Sequence, residues 1–225
     1  MQRKIITTAD GSKTIHLVDW NEHYHSIHGA IQEANHVFIK HGLLFFVESF
    51  PKISPIHILE IGFGTGLNAF ITLIETEKLN IPIIYTGIEA FPVSLEELNE
   101  MNYSELLEFN KADIFQNMHL NSWEEKHRIT SLFSLTKLKK FFKDIEDQGE
   151  YDLIYFDAFG ARVQPELWTE TIFKKMYEAL KPNGVLVTYS AKGSVRRAMQ
   201  AVGFKVEKLP GPPGKREMLR AIKGK

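Results

Sequence analysis

Cysteine is absent from all 225 residues. That excludes disulfides, thiolate metal sites and a cysteine nucleophile, and it fits a cytoplasmic setting. Long apolar runs are absent as well: nothing approaches the roughly 20 residues of a membrane-spanning helix. No signal peptide is visible either, since Thr, Ala, Asp and Gly follow closely on Met1-Gln2-Arg3-Lys4. There is no internal repeat and no low-complexity linker. A chain of this length, 44% apolar, is expected to form one domain, or one domain with a small appendage, around a proper core. Net charge is also scarce, at −1, but it is unevenly spread: Lys181 to Lys225 holds 11 Lys and Arg against Glu207 and Glu217, a balance of +9 that leaves about −10 for the remainder. A basic C-terminal fifth suits either an anionic partner such as nucleic acid or a merely solvated face.

The chain is organised around Ile56-His57-Ile58-Leu59-Glu60-Ile61-Gly62-Phe63-Gly64-Thr65-Gly66-Leu67-Asn68. An apolar run ending in an acid, then glycines at alternate positions, then an amphipathic stretch to Lys78, reads strand, tight loop, helix. The glycines admit positive φ and close approach of a ligand, and the helix N-terminus offers free N–H groups. The third glycine falls one residue earlier than in the dinucleotide fingerprint, and Glu60 precedes the first. An acid there suits a ligand with an amino group better than a pyrophosphate. This pattern resembles the first motif of the S-adenosylmethionine-dependent methyltransferases.

Around this stretch, residues 4–18 read as a β-hairpin turning at Asp10-Gly11, with a helix from about Ile31 to Phe50. This front section is expected outside the main fold, as a lid or substrate wall over residues 1–50, with the methyltransferase domain at 51–225. Its His23, His25 and His28 lack cysteine partners and regular spacing, so no metal is expected. Further strands are expected at Ile83–Glu89, His127–Phe133, Tyr151–Phe156 and Val185–Tyr189. Helices are expected at Leu67–Lys78, Pro92–Phe109, Thr136–Asp147, Pro165–Leu180 and Ser194–Val202. Two last strands, Phe204–Lys208 and Met218–Ile222, have no helix between them. Strand–helix alternation implies an α/β, doubly wound, Rossmann-like fold. The expected sheet has seven mostly parallel strands and an antiparallel hairpin at one edge.

Ligands of open α/β sheets bind at the carboxyl ends of the strands, where Glu60, Glu89 and Asp157 stand. One carboxylate can accept from both ribose hydroxyls, which suits Glu89, and Glu60 can hold a methionine ammonium. Methyl transfer from a sulfonium needs a nucleophile with a free lone pair. A carboxylate beside an amine, as Asp157 is expected to be, can orient it and take its proton. The residues expected to line the cofactor are Glu60, Gly62, Phe63, Gly64, Thr65, Gly66, Asn68, Glu89, Ala90, Asp157, Ala158 and Phe159.

Several segments together resemble one family, the methyltransferase domain of bacterial MnmC. They are Leu59 to Asn68, Phe156-Asp157-Ala158-Phe159-Gly160 through Pro165 and Trp168, Tyr189 through Arg197, and Gly214-Lys215-Arg216-Glu217-Met218-Leu219. Tyr24-His25-Ser26, Gly29, Glu33 and His36-Val37-Phe38 complete it. The resemblance implies a class I methyltransferase that uses S-adenosylmethionine to methylate the aminomethyl group of the wobble uridine of tRNA, giving methylaminomethyl-(2-thio)uridine. It implies that Asp157 is catalytic, beside the acceptor amine. It implies that Tyr24, Ser26, Glu33, Arg196, Arg197, Lys215 and Arg216 meet tRNA, the basic ones facing phosphates. Many members carry a flavin-dependent domain; none is expected in this stand-alone form, so a separate enzyme would supply the aminomethyl tRNA to what is expected to be a monomer. Aligned on Phe133-Ser134, Ser134 replaces an Asp that contacts adenine in the family. Two other readings remain open: transfer to a small free amine, and a non-catalytic RNA- or nucleotide-binding module. A dehydrogenase is least favoured.

Overall fold

The apolar runs at 56–61, 83–88 and 151–156 form the parallel centre of a sheet, in a computed structural model that describes residues 2–225. Each is buried on both faces, which is why its sequence is continuously apolar instead of alternating. A first sheet precedes them: β1 (Arg3–Thr7), β2 (Lys13–Leu17) and β3 (Glu22–His23) are antiparallel, turning at Gly11 as expected. The main sheet consists of β4 (Ile56–Ile61), β5 (Ile83–Ile88), β6 (Lys126–Arg128), β7 (Phe133–Leu138), β8 (Tyr151–Phe156), β9 (Leu180–Thr188), β10 (Lys205–Pro210) and β11 (Glu217–Ile222). Its order is β10-β11-β9-β8-β4-β5-β7-β6, so the chain crosses to the opposite side after β7. The five central strands are parallel. β11 and β10 add the expected antiparallel hairpin at one edge.

The other edge departs from expectation. β6 and β7 form a second antiparallel hairpin, which raises the sheet to eight strands. The expected strand at 127–133 is split between them, and the expected helix at 136–147 is replaced by β7 and a short 3₁₀ turn at Phe142–Asp144. The physical reason is period-two burial: Phe133, Leu135 and Lys137 point inward and Ser134, Thr136 and Leu138 less so. Ser134 therefore lies at the start of β7, opposite Ile84, not at the ligand-binding edge. It does not occupy the adenine-contact position.

The helices that flank the sheet are α3 (Leu67–Leu79), α4 (Leu95–Asn99), α5 (Tyr103–Leu107), α6 (Ala112–Leu120), α7 (Glu170–Ala179) and α8 (Gly193–Ala201). The single helix expected at 92–109 is two. It breaks at Asn102, whose side chain accepts from Lys13 N at 2.9 Å and donates to Gly11 O at 3.0 Å. The start expected for the helix at 165–180 is a 3₁₀ turn, Pro165–Trp168, ahead of α7.

The front helix is continuous from 30 to 49: α1 (Ala30–Ala34), a π-helical stretch (Asn35–Leu44) and α2 (Phe45–Ser49). Expected outside the main fold, it instead packs on the sheet. Val37, Phe38, Leu43 and Phe46 share one buried cluster with Leu153, Tyr155, Val185 and Val187. Gly42 permits this approach, because a Cβ there would lie 3.1 Å from Val187 and 3.2 Å from Tyr155. Replacing Phe38, 1% exposed and 5.1 Å from the Tyr155 ring, by Ala is expected to cost about 3–5 kcal/mol in denaturant unfolding. A loss below about 1 kcal/mol would mean a loosely docked lid. No helix among the described residues is long and apolar enough to cross a membrane.

Candidate active site

The carboxyl ends of β4, β5 and β8 bring the three acids together. Glu60, in β4, is fully buried, with Asn68 Nδ2 donating to Oε1 at 2.8 Å and the Tyr85 hydroxyl to Oε2 at 2.9 Å. Glu89 follows β5, and its carboxylate accepts from the backbone N–H of Gly64 at 3.2 Å and of Phe91 at 2.9 Å. Asp157 follows β8 and accepts from the same Asn68 amide at 2.8 Å. Asn68, on the first turn of α3, thus ties Glu60 to Asp157, and its own Oδ1 is buried without a partner among the described residues.

The glycine loop links these groups. Gly62, Gly64 and Gly66 all take positive φ, at 91°, 50° and 71°. Gly66 also has no room, since a Cβ would lie 2.7 Å from the His119 ring. Not every loop residue faces the cleft. Thr65 is fully buried with its hydroxyl 3.2 Å from the Tyr103 hydroxyl, and Phe63, 3% exposed, packs against His119 and Trp123.

Burial shifts the titration of these acids, because a charge is poorly solvated there. Asp157 is pushed up to about 7, first by burial and then by the Glu33 carboxylate, against the lowering effects of the Asn68 hydrogen bond and the Lys215 ammonium. Glu60 is held well above the ordinary carboxylate range by burial, with Asp157 and Glu89 adding like charge. Glu89 is raised by burial and partly restored by the N–H groups of Phe91, Gly64 and Ala90.

A cavity of about 180 Å³ opens beside Asp157. Its walls bring together residues far apart in sequence: Tyr24, Ser26 and Glu33 from the front section, Asp157, Ala158 and Phe159 after β8, and Lys215 before β11. The Phe159 ring stands edge-on to Tyr24 at 5.0 Å and to Trp20 at 6.1 Å. Trp168 Nε1 donates to Phe159 O at 2.7 Å, and the Tyr189 hydroxyl donates to Ala158 O at 2.8 Å, so both fix the segment after Asp157. Tyr189 also lines the cavity. Neither Trp168 nor Tyr189 was among the expected site residues. Both stand in the resembling segments, which was the available signal.

Other expected residues lie elsewhere. Arg197 and Arg216 are exposed and line neither this cavity nor its neighbour, and Arg196 is half-buried with its Nε unpartnered among the described residues. Lys215, expected to face phosphates, instead turns inward to Glu33. Of the histidines of the front section, His25 is buried with Nδ1 3.1 Å from the Thr14 hydroxyl, His23 is half-buried and stacks on His16 at 4.4 Å, and His28 is exposed with its ring beside Gly214. Phe91 and Phe141, not anticipated, are exposed rings 5.8 Å apart at the ends of β5 and β7.

The donor set fits S-adenosylmethionine. Beside a loop open to close approach converge Glu60, Asp157 and the orphaned Asn68 Oδ1, three acceptors that suit an ammonium. Glu89, at the next strand end, has two acceptor oxygens for a diol.

Comparison with known proteins points to the same cofactor. The MnmC proteins of Hydrogenovibrio crunogenus and Leptospira interrogans, both named tRNA 5-methylaminomethyl-2-thiouridine biosynthesis bifunctional protein, are 30% and 31% identical over 87% of this chain. The match covers 30% and 32% of those proteins, so the chain spans about a third of their length. The crystal structure of MNMC2 from Aquifex aeolicus superposes with a TM-score of 0.74 at 28% identity, over 98% of this chain and 70% of that one. Spermidine synthase from Thermotoga maritima shares the fold, at a TM-score of 0.53 and 14% identity. Residues 104–224, more than half of the chain, match the family described as S-adenosyl-L-methionine-dependent methyltransferase. The chain belongs to that family.

Proposed function

We infer that this chain transfers a methyl group from S-adenosylmethionine to the primary amine of an aminomethyl group on the wobble uridine of tRNA. The observation that carries this reading is Asp157, raised to about 7, on the wall of a cavity whose other walls are Tyr24, Phe159, Tyr189 and Glu33. Bound at the glycine loop, S-adenosylmethionine supplies an electrophilic methyl on a sulfonium. Glu60, Asn68 and the backbone at Gly62, Gly64 and Gly66 hold its methionine part, and Glu89 its ribose. Ala90, Phe91 and Ala158 border that cleft.

An alkylamine titrates like Lys, near 10.4, and has no lone pair while protonated. Raising Asp157 from 3.8 to about 7 halves the gap that its proton must cross. Asp157 takes that proton, the nitrogen forms the new C–N bond as the S–C bond breaks, and Phe159 with Tyr24 keeps water from the site. An uncharged uracil ring suits such aromatic walls. The amine itself must come from a different reaction, one that leaves an aminomethyl group on uridine. Such an acceptor places the chain in the cytoplasm.

The relatives' names support tRNA as the carrier, and so does the C-terminal charge. Arg197 and Arg216, both exposed, are positioned to meet phosphates. Replacing Arg216 by Ala is expected to weaken tRNA binding and to reduce the slope of log K against log salt by about 1. An unchanged slope in filter binding across salt concentrations would remove Arg216 from the interface. The reading as a whole is tested by transfer of labelled methyl to tRNA bearing aminomethyluridine, followed by nucleoside analysis. Label in methylaminomethyluridine is expected; absence of label, with S-adenosylmethionine binding intact, would overturn the acceptor.

A further inference from the structure

The inward turn of Lys215 is unexplained by the chemistry above. Its Nζ pairs with Glu33 Oε1 and sits 3.8 Å from the centroid of the Tyr189 ring. Glu33 is itself fixed: its other oxygen accepts from Ser26 N at 2.8 Å, and its side chain is 7% exposed. A carboxylate and an aromatic face are the two groups that best hold an ammonium. Glu33, Tyr189 and Lys215 line the same cavity as Asp157, whose own titration both Glu33 and Lys215 affect. The chain therefore places its own primary ammonium in a chamber built for one.

We propose that Lys215 is a resident cation in the acceptor-amine subsite, and that the acceptor's ammonium enters by displacing it from Glu33 and Tyr189. This rests on the reading that the Asp157 cavity takes an amine. Two ammonium groups cannot share so small a chamber without repulsion. Lys215 is free to leave: its side chain is 32% exposed on a flexible stem, and it is carried by the turn at 211–216 between β10 and β11. Swung outward, it joins Arg216 on the surface assigned to phosphate. Glu33 then becomes the second carboxylate of acceptor binding. The exchange favours an acceptor that brings both an ammonium for the chamber and phosphates for the displaced lysine.

The test uses the nucleoside 5-aminomethyluridine, which has the amine and no phosphate, titrated calorimetrically with S-adenosylhomocysteine present. Lys215→Met keeps the apolar stem on Tyr189 and removes the charge. It is expected to bind the nucleoside about tenfold or more tighter than wild type, and adding Glu33→Gln is expected to abolish the gain. A structural role would give loss, not gain, of affinity. Equal or weaker binding, or none by either protein, would overturn the proposal. Lys215→Gln is expected to give the same sign should the Met variant fold poorly. Labelled transfer to aminomethyluridine tRNA by wild type separates the two inferences. Transfer without a gain in Lys215→Met sinks the resident-cation role alone. A gain without transfer sinks the tRNA reading and leaves Lys215 guarding a site for a smaller amine.

Discussion

Asp157→Asn is expected to lower methyl transfer by about a hundred- to ten-thousand-fold while leaving S-adenosylmethionine bound, and to make the protein more stable at alkaline pH. The loss has the size of a removed general base. Binding survives because Asn at 157 still offers an oxygen to the Asn68 amide, the one hydrogen bond this side chain accepts among the described residues. The loop and Glu89 are untouched.

The stability gain follows from the direction of the shift. Asp157 is raised from 3.8 to about 7, so between those values the folded chain binds more protons than the unfolded one. Stability therefore falls as pH rises through that window, and the deficit is complete above about 7. An amide does not titrate, so the variant gains nothing near pH 4 and on the order of a few kcal/mol at pH 8. The groups facing Asp157 are Glu33 from α1, Glu60 from β4, Tyr85 from β5, Asn68 from α3, and Tyr189 and Lys215 across the cavity. Glu60 is fully buried and is raised too, first by burial, whereas Asp157 lines the cavity and is raised to about 7. Wild-type kcat/KM is accordingly expected to rise with pH along a limb centred near 7. Denaturant midpoints at pH 5 and pH 8, with a pH profile of transfer, check both halves. A variant that keeps a tenth of the activity would remove Asp157 from the chemistry.

The sequence carries much of this site because its chemistry is local. A buried strand is a continuous apolar run, its end is marked by an acid, and the loop after β4 is spelled in glycines. Glu60, Glu89 and Asp157 were legible for that reason, and so was the β10–β11 hairpin, whose strands have no room for a helix between them. What failed depended on distant partners. Lys137 looks like a polar helix residue, yet it is 1% exposed in β7, with its ammonium 2.7 Å from His119 O and over the Trp123 ring. Its partners lie on α6 and just after it, a contact that only the fold makes. Asn102 breaks a helix because it is claimed by residues 89 and 91 positions away. Lys215 reads as one more surface cation, and only the fold brings it to Glu33, 182 residues earlier. The π-helical stretch has no local signature, and its packing on Tyr155 and Val187 is a tertiary fact.

Gly62→Ala is expected to cost at least about 3 kcal/mol of stability and to abolish measurable cofactor binding. Two costs combine. At φ 91° an L side chain is strained by about 1–3 kcal/mol wherever it points. Here it also points at backbone: a Cβ would lie 2.6 Å from Asp157 O and 3.2 Å from Asp157 C. A side-chain neighbour can rotate away, but this carbonyl belongs to the first residue after β8, and Asp157 N is bonded to Ile61 O at 2.9 Å. Relief requires β4 and β8 to part where Glu60, Asn68 and Asp157 meet. Glu60 and Asn68, the acceptors proposed for the cofactor's ammonium, would then be displaced from the loop, so binding is expected to fail along with stability. Gly64→Ala is the control. Its Cβ would press on the Tyr24 ring at 3.2 Å, a side chain that can yield, and would meet backbone only at an ordinary contact distance, 3.8 Å from Gly62 O. Both variants share the strain of positive φ, so the difference between them isolates the backbone clash. Thermal melting with and without S-adenosylmethionine reads both effects. A Gly62→Ala protein as stable as Gly64→Ala, and still stabilised by the cofactor, would show that the β4–β8 junction yields and is not what holds the site together.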